Sequence, residues 1–341
     1  LGAKLPCHPS RSPVLLRSAC HDGVAWREAF RSMIAAHADW SMDARKRWVT
    51  IARRQGALWQ ASAPRLVGDP ARLAAFLIAE GGPAALGLDL PLGVPRGFAE
   101  GRQEADFPGF LAGLAQNSDF FTVSPGLESV CPGRPFYPAR GIKGMTRAAH
   151  AAALGLADAA ALSRLCDRAT AERPAGAPVF WTLGANQSGK AAISAWRDWL
   201  APALAAGAPL RLWPFAGALH DLLRPGQLTL AEVYPAEALR HLGLKLAGSK
   251  RAEAPRRALA PALRDVMAAL SVTPDVALHD MIHAGFGADA AGEDRFDSLI
   301  GLLGLIGVVD GKRPDFIPAD PMIRTWEGWV LGQTALPLNP R

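Results

Sequence analysis

A chain of 341 residues, half of them hydrophobic, is long enough to bury a full core as one large domain or two modest ones. Its formal charge of +6 sits at one end: residues 1–54 hold 10 Lys/Arg against 4 Asp/Glu, which leaves 27 of each sign downstream, so overall basicity argues little for a nucleic-acid partner. The longest apolar stretch, Leu299 to Val309, has 11 residues, short of the roughly 20 that a membrane helix needs.

Residues 1–32 mix Pro, Arg, Ser and Cys without a period and contain no apolar run long enough for a signal peptide. They read as an upstream extension without a fixed fold, ahead of a single domain over 33–341. The four cysteines, Cys7, Cys20, Cys131 and Cys166, lack metal-ligand spacing and read as idle thiols in a reducing cytoplasm. A cytoplasmic protein is the expectation.

From Met33 the pattern is a strand (IAAHAD), a turn, a strand (KRWVTIAR), a second turn at Gln55 and Gly56, and a strand (ALWQAS). Three strands in close succession suggest an antiparallel meander. DPARLAAFLIAEGG follows as a helix, with Asp69 at the N-cap, Pro70 at the first helical position and Gly81 past the end. PAALGLD is then a buried strand returning beside the first. Parallel neighbours lie about 4.8 Å apart, which brings Asp39 and Asp89 to one sheet edge.

Residues 92–178 are irregular and rich in Pro and Gly, with helical stretches at QEADFPGFLAGLAQ and from MTRAAHAAALGL to RLCDRAT. Their Phe and Leu content suits an insertion capping the sheet edge better than a linker. The sheet resumes with PVFWTLG, a helix from about Ala191 to Ala206, and strands APLRLWPF and LTLAEVYP. PAEALRHLG, AEAPRRALAPALRDVMAAL and TPDVALHDMIHAGF are helical by spacing, and a closing helix begins near Glu293. The alternation argues an α/β fold with a mixed sheet flanked by helices.

Several apolar segments end on or carry a carboxylate: Asp39, Asp89, Glu232, and Asp294 with Asp297 at the start of the closing helix. A lone acid at the end of a buried strand is costly unless something offsets its desolvation, and a divalent metal is the usual reason to gather several. The plainer alternatives are turn caps for Asp89 and Asp294, and an Arg-paired structural carboxylate for Glu232.

DWS, GLDLPLGVP, TLGANQSGKAAI, AEVYPAEALRHLG and EDRFDSLIGLL, in this order, resemble the family called domain of unknown function 429. Its members are expected to have a ribonuclease H-like fold and nuclease activity. The resemblance runs from about Met33 to Ile306 and implies metal-dependent attack on a phosphodiester. The acidic positions it implies fall at Asp39, Asp89, Glu232 and Asp297, with Asp294 as a fifth. Two Mg²⁺ or Mn²⁺ ions about 3.5 to 4 Å apart suit such chemistry, because hard cations take oxygen ligands. Asp39 is then the bridging ligand, with Asp89 and Asp297 each completing one ion.

GANQSGKA, Gly184 to Ala191, is nearly a phosphate loop, but Ala191 stands where a Ser or Thr would ligate Mg²⁺. Lys190 and the backbone N–H groups there remain candidates to hold a substrate phosphate. Arg134, Arg140, Lys143 and Arg147 lie in an acid-free stretch with Phe136 and Tyr137, a combination suited to a nucleic-acid backbone and stacked bases. His279 and His283 lack a third metal ligand, and Trp196, Trp199, Trp326 and Trp329 read as packing. The sequence therefore points to a metal-dependent phosphodiester hydrolase acting on nucleic acid or another phosphoester. The alternative is a non-catalytic nucleic-acid or nucleotide-binding module of the same fold.

Overall fold

Six buried residues, Ile34–Asp39, form strand β1, the middle of a mixed sheet. The structure is a computed structural model that describes residues 32–117, 119–141, 144–183 and 188–338. The expected N-terminal extension up to residue 31 lies outside the described residues, as do Lys143 and Gly184 to Gln187.

The meander forms as the turn spacing predicts. β1 pairs antiparallel with β2 (Trp48–Gln55), and β2 pairs antiparallel with β3 (Leu58–Ala61) and with the two-residue β4 (Arg65–Leu66). Helix α1 (Pro70–Ala79) starts where Asp69 accepts from the Ala71 and Arg72 amides, and it returns the chain to β5 (Ala84–Leu88), parallel to β1. β6 (Leu210–Leu212), β7 (Leu228–Glu232) and β8 (Val272–Pro274) complete the sheet, in the order β6-β7-β5-β1-β2-β3-β8. It has eight strands among the described residues, and helices flank it, so the fold is α/β. No helix of the described residues is long and apolar enough to cross a membrane.

Alternation along β1 divides the core in two. Ile34, Ala36 and Ala38 face α1 and the aromatic side chains of residues 98–215, while Ala35 faces the layer of the closing helix, α2 (Gly292–Val309). The segment 92–178 is largely irregular, with short helices such as Phe107–Gly113 and Arg147–Ala153. Phe98, Phe110, Phe120, Phe136 and Phe180 pack together there at centroid separations of 4.6 to 6.5 Å. It is a folded layer of the domain.

The described part of the expected strand PVFWTLG, Pro178 to Leu183, is not part of the sheet. Val179 to Trp181 form a turn whose backbone bonds close on the capping segment, with Tyr137 N–H donating to Phe180 O at 3.0 Å and Thr182 N–H to Tyr137 O at 3.0 Å. Phe180 and Trp181 are buried there, so an apolar run read as sheet is an interior loop. β8 lies between two helices and extends the far edge by pairing with β3. Three residues are too few for a periodic signal.

α2 lies against β1 with almost no space between them. A Cβ placed at Gly301 would run into the His37 ring, and one at Gly304 would meet Ala238 at 2.7 Å. His37 is fully buried and bonds the Val233 carbonyl through Nε2 at 3.0 Å, and burial holds its pKa down to about 4, so the ring is neutral at pH 7. Thr50 and Ser298 hydroxyls, 2.7 Å apart, add a second tie between sheet and helix. We expect Gly301→Ala to lower stability by about 1–3 kcal/mol through overpacking, read as a drop in urea midpoint. His37→Ala makes room for the added methyl, so in the double variant the cost of Gly301→Ala should largely vanish; strict additivity would argue against this contact.

Candidate metal-binding site

The tight contact at Gly301 sets the register of the acids. Along β1, Asp39 follows His37 by two residues, about 6.6 Å, on the same face; along α2, Asp297 precedes Gly301 by four residues, about 6 Å, again on one face. Helix and strand thus carry Asp297 and Asp39 to matching heights. The Asp89 amide bonds the Ala38 carbonyl at 3.1 Å, continuing the β1–β5 register one step past Leu88 and placing Asp89 beside Asp39. Asp294, one turn earlier on α2, lies at the rim.

These carboxylates crowd one another. Burial, followed by the charges of Asp89, Asp297 and Asp294, raises the Asp39 pKa well above the usual range. Burial and Asp297 push Asp89 up to about 7, against the opposing effects of Lys250 and a hydrogen bond from the Asp39 carboxyl. Burial pushes Asp297 up to about 6 although Lys250 opposes it, and Asp294 is raised by burial and Glu293. The N-terminal turns of α2 give some relief, since a helix start favours negative charge. All the donor atoms are carboxylate oxygens, the ligand chemistry of hard divalent cations, and the mutual repulsion of their ionised forms is what such an ion would relieve.

Glu232 belongs to a different environment. It pairs in register with Leu88, so it faces the opposite side of the sheet from Asp89. There the buried Arg164 binds it through two contacts of 2.6 and 2.7 Å and binds Asp167 through two more of 2.9 and 3.0 Å. Glu232 also accepts the Leu92 amide at 2.7 Å. It is the Arg-paired structural carboxylate, set apart from the three aspartates.

Among the described residues, Cys166, Asp167 and Glu232 are the group whose potential ligand atoms all lie within 4.8 Å of one another. A guanidinium already supplies the positive charge there and uses the carboxylate lone pairs, and burial pushes the Cys166 thiol well up, away from the thiolate a metal would need. We therefore read this group as a structural ion-pair network. The Asp39, Asp89 and Asp297 oxygens are spread more widely, with the Lys250 ammonium bound to Asp297 among them.

The other residues singled out in the sequence scatter. Lys190 lies four residues before Ser194, whose hydroxyl accepts from the Trp40 indole at 3.0 Å, so its helix (Ser188–Ala195) covers the same sheet edge on the opposite face from Asp39. Arg134 is half-buried in a tight turn with Cys131, and Arg140 is exposed. The stacking platform expected beside them is absent: Phe136 and Tyr137 are fully buried, packed on Phe120, Phe180 and Trp196 and on His150 and Trp181. Trp196, Trp199, Trp326 and Trp329 are buried, as their spacing suggests. Sequence reasoning missed Arg164 and Lys250. Arg164 had a local signal, standing three residues before Asp167, whereas Lys250 had none.

Compared with protein-family models, with curated proteins and with solved structures, the chain matches none of them.

The raised carboxyl pKa values make the cation-free site a source of instability whose sign follows from proton binding. Asp89 holds more protons folded than unfolded between about pH 4 and 7, so its contribution is full below pH 4 and is lost as pH rises through about 7. His37 and His241, with lowered values of about 4, act in the opposite sense over part of that range. Comparison with Asp89→Asn isolates the aspartate. In chelator, Asp89→Asn should gain on wild type by on the order of 2–3 kcal/mol between pH 5 and pH 8, measured by urea denaturation at both; a gap independent of pH would contradict the crowding.

Arg164 gives the converse case. Arg164→Met leaves Asp167 and Glu232 buried without a cation and should cost about 3–5 kcal/mol. Adding Glu232→Gln and Asp167→Asn on that background should recover much of the loss, as judged by urea midpoints at pH 7.

Proposed function

We propose that the protein is a divalent-metal-dependent hydrolase of phosphodiester bonds, with Mg²⁺ or Mn²⁺ held by Asp39, Asp89 and Asp297 and with Asp294 at the rim. The observation that carries this reading is the gathering of three aspartates from β1, the end of β5 and α2 in one place, Asp39 and Asp297 buried and Asp89 half-buried, where burial and mutual repulsion raise all three carboxyl pKa values. Carboxyls perturbed by burial and like charge concentrate at functional sites, which supports a ligand role for this cluster.

The architecture is consistent with the ribonuclease H-like fold that the sequence resemblance implies. An antiparallel β3-β2-β1 meander joins parallel β5 and β7, and the acids stand at the carboxyl ends of β1 and β5, the edge at which open α/β sheets bind ligands. The support is one of strand order and of acid placement.

Bound there, a hard divalent cation supplies a Lewis acid for phosphoryl charge and makes a water more acidic. The chain's own contribution is to hold three oxygen donors on rigid elements, two on adjacent strands and one on a helix that cannot retreat from them. Burial and mutual repulsion favour the protonated forms of Asp39 and Asp89 while no cation is there. Exposed Lys46 on the turn after β1, within electrostatic reach of Asp294, and Arg251, 3.6 Å from Glu293, put positive charge at the rim where a substrate phosphate would approach. This favours a phosphodiester, whether nucleic acid or a smaller phosphoester.

Thermal melting with Mn²⁺ or Mg²⁺ tests the reading. At a hundredfold excess over Kd, binding should stabilise the wild type by about 2.7 kcal/mol, and Asp39→Asn or Asp297→Asn should abolish the shift. Hydrolysis of bis(p-nitrophenyl) phosphate and of DNA and RNA strands should need the metal and fall at least a hundredfold in those variants. A wild type whose melting ignores both metals would remove the proposal, and metal binding without any hydrolysis would leave the binding-module alternative.

A further inference from the structure

Lys250 is the cation already at this site. It stands on the irregular segment between the helices Pro235–His241 and Glu253–Ala258, far in sequence from every aspartate it meets. Its ammonium forms a close ion pair with Asp297 and lies 3.4 Å from Glu293. The buried Arg256 fixes that segment by donating to the carbonyls of Lys250, Gly285 and Gly287. The Lys250 ammonium opposes the repulsion at each of Asp39, Asp89 and Asp297. Its side chain remains 39 % exposed, whereas Arg164 in the other acidic network has none of its side chain exposed.

Resting on the metal-binding reading above, we propose that Lys250 is a resident counter-cation that competes with the metal, so that a divalent ion enters the aspartate cluster by displacing the Lys250 ammonium from Asp297. An ammonium and a hard cation need the same carboxylate lone pairs, and two positive charges a few ångströms apart in a partly buried site repel strongly. The ammonium has a path out, because a lysine is a point charge on a flexible stem with one face open to water. A fully buried guanidinium forked between two carboxylates has none. Lys250 thereby lowers the cost of the metal-free state and weakens metal affinity by the same interaction, as linkage requires.

Calorimetric titration of Mn²⁺ into the full chain and into Lys250→Gln tests this without reference to activity. The variant should melt lower than wild type in chelator and bind Mn²⁺ at least tenfold more tightly. Arg251→Ala, which removes a neighbouring exposed charge, should change the affinity by less than about threefold. Equal or weaker Mn²⁺ binding by Lys250→Gln overturns the competition while leaving the metal site standing. Absence of binding by both proteins overturns the metal reading and this inference together. Binding by the variant alone supports both.

If Lys250→Gln does not fold, amine acetylation of the wild type read by mass spectrometry decides. Saturating Mn²⁺ should speed modification of Lys250 several-fold relative to Lys245, and an unchanged ratio overturns the proposal.

Discussion

A closely packed helix holds like charges together against their repulsion. Gly301 brings α2 onto the His37 ring so closely that no side chain fits between them, and Gly304 does the same at Ala238. Once helix and strand touch there, Asp297 and Asp39 are each about one helical turn away along elements that do not bend independently. The carboxylates cannot separate without opening the core of Leu299, Ile300, Leu302 and Leu303 beneath them. Packing therefore sustains an arrangement that electrostatics alone would disperse, and the strain appears as protons retained near pH 7.

The two buried acidic groups of this domain show what partner choice decides. Glu232 and Asp167 receive a guanidinium that satisfies both carboxylates by four short bonds and, through the Glu327 carbonyl at 3.3 Å, ties the capping segment to the C-terminal helical turn Ile323–Glu327. Such a pair is poorly exchangeable, since removing either side strands a charge in the core. Asp39, Asp89 and Asp297 receive one ammonium at the edge of solvent. One partly exposed ammonium offsets the repulsion of these three acids only in part, whereas the guanidinium satisfies both carboxylates of the other group, which has the tighter ligand-atom spacing.

Much of this was legible in the sequence. The β1–β2–β3 meander, the Asp69-capped crossover helix and the parallel return to β5 followed from alternation, turn residues and capping, which are local signals. Asp39 and Asp89 could be paired because both end buried strands that had to be neighbours. The side taken by Glu232 was less accessible, because it depends on register with Leu88 rather than on its own neighbours. PVFWTLG misled because an apolar run does not say whether its backbone partners are sheet strands or a capping loop. Phe136 and Tyr137 likewise gave no sign in composition of whether they face solvent or core. Lys250 was invisible for a different reason: its role comes from a long-range contact with α2, 47 residues away, made by a residue type common on every surface.

The capping segment contributes to this site mainly through the opposite face of the sheet. Its aromatic cluster buries the side of the sheet that carries Ala36, Ala38 and Leu88, which immobilises β1 and β5 and so the two aspartates at their ends. The exposed cations near the acidic start of α2 come instead from two short connections. The turn after β1 is locked by Arg47, which stacks 4.5 Å over Trp40 and donates to the Ser41 and Met42 carbonyls, and it presents Lys46. The stretch before Glu253 is anchored by Arg256 and presents Lys250 and Arg251. In both, a buried arginine spends its hydrogen bonds on backbone carbonyls so that neighbouring cations remain at the surface. Recognition of a phosphoester would therefore depend on these two turns, and the cap could vary widely in its exposed residues as long as its core kept the sheet rigid.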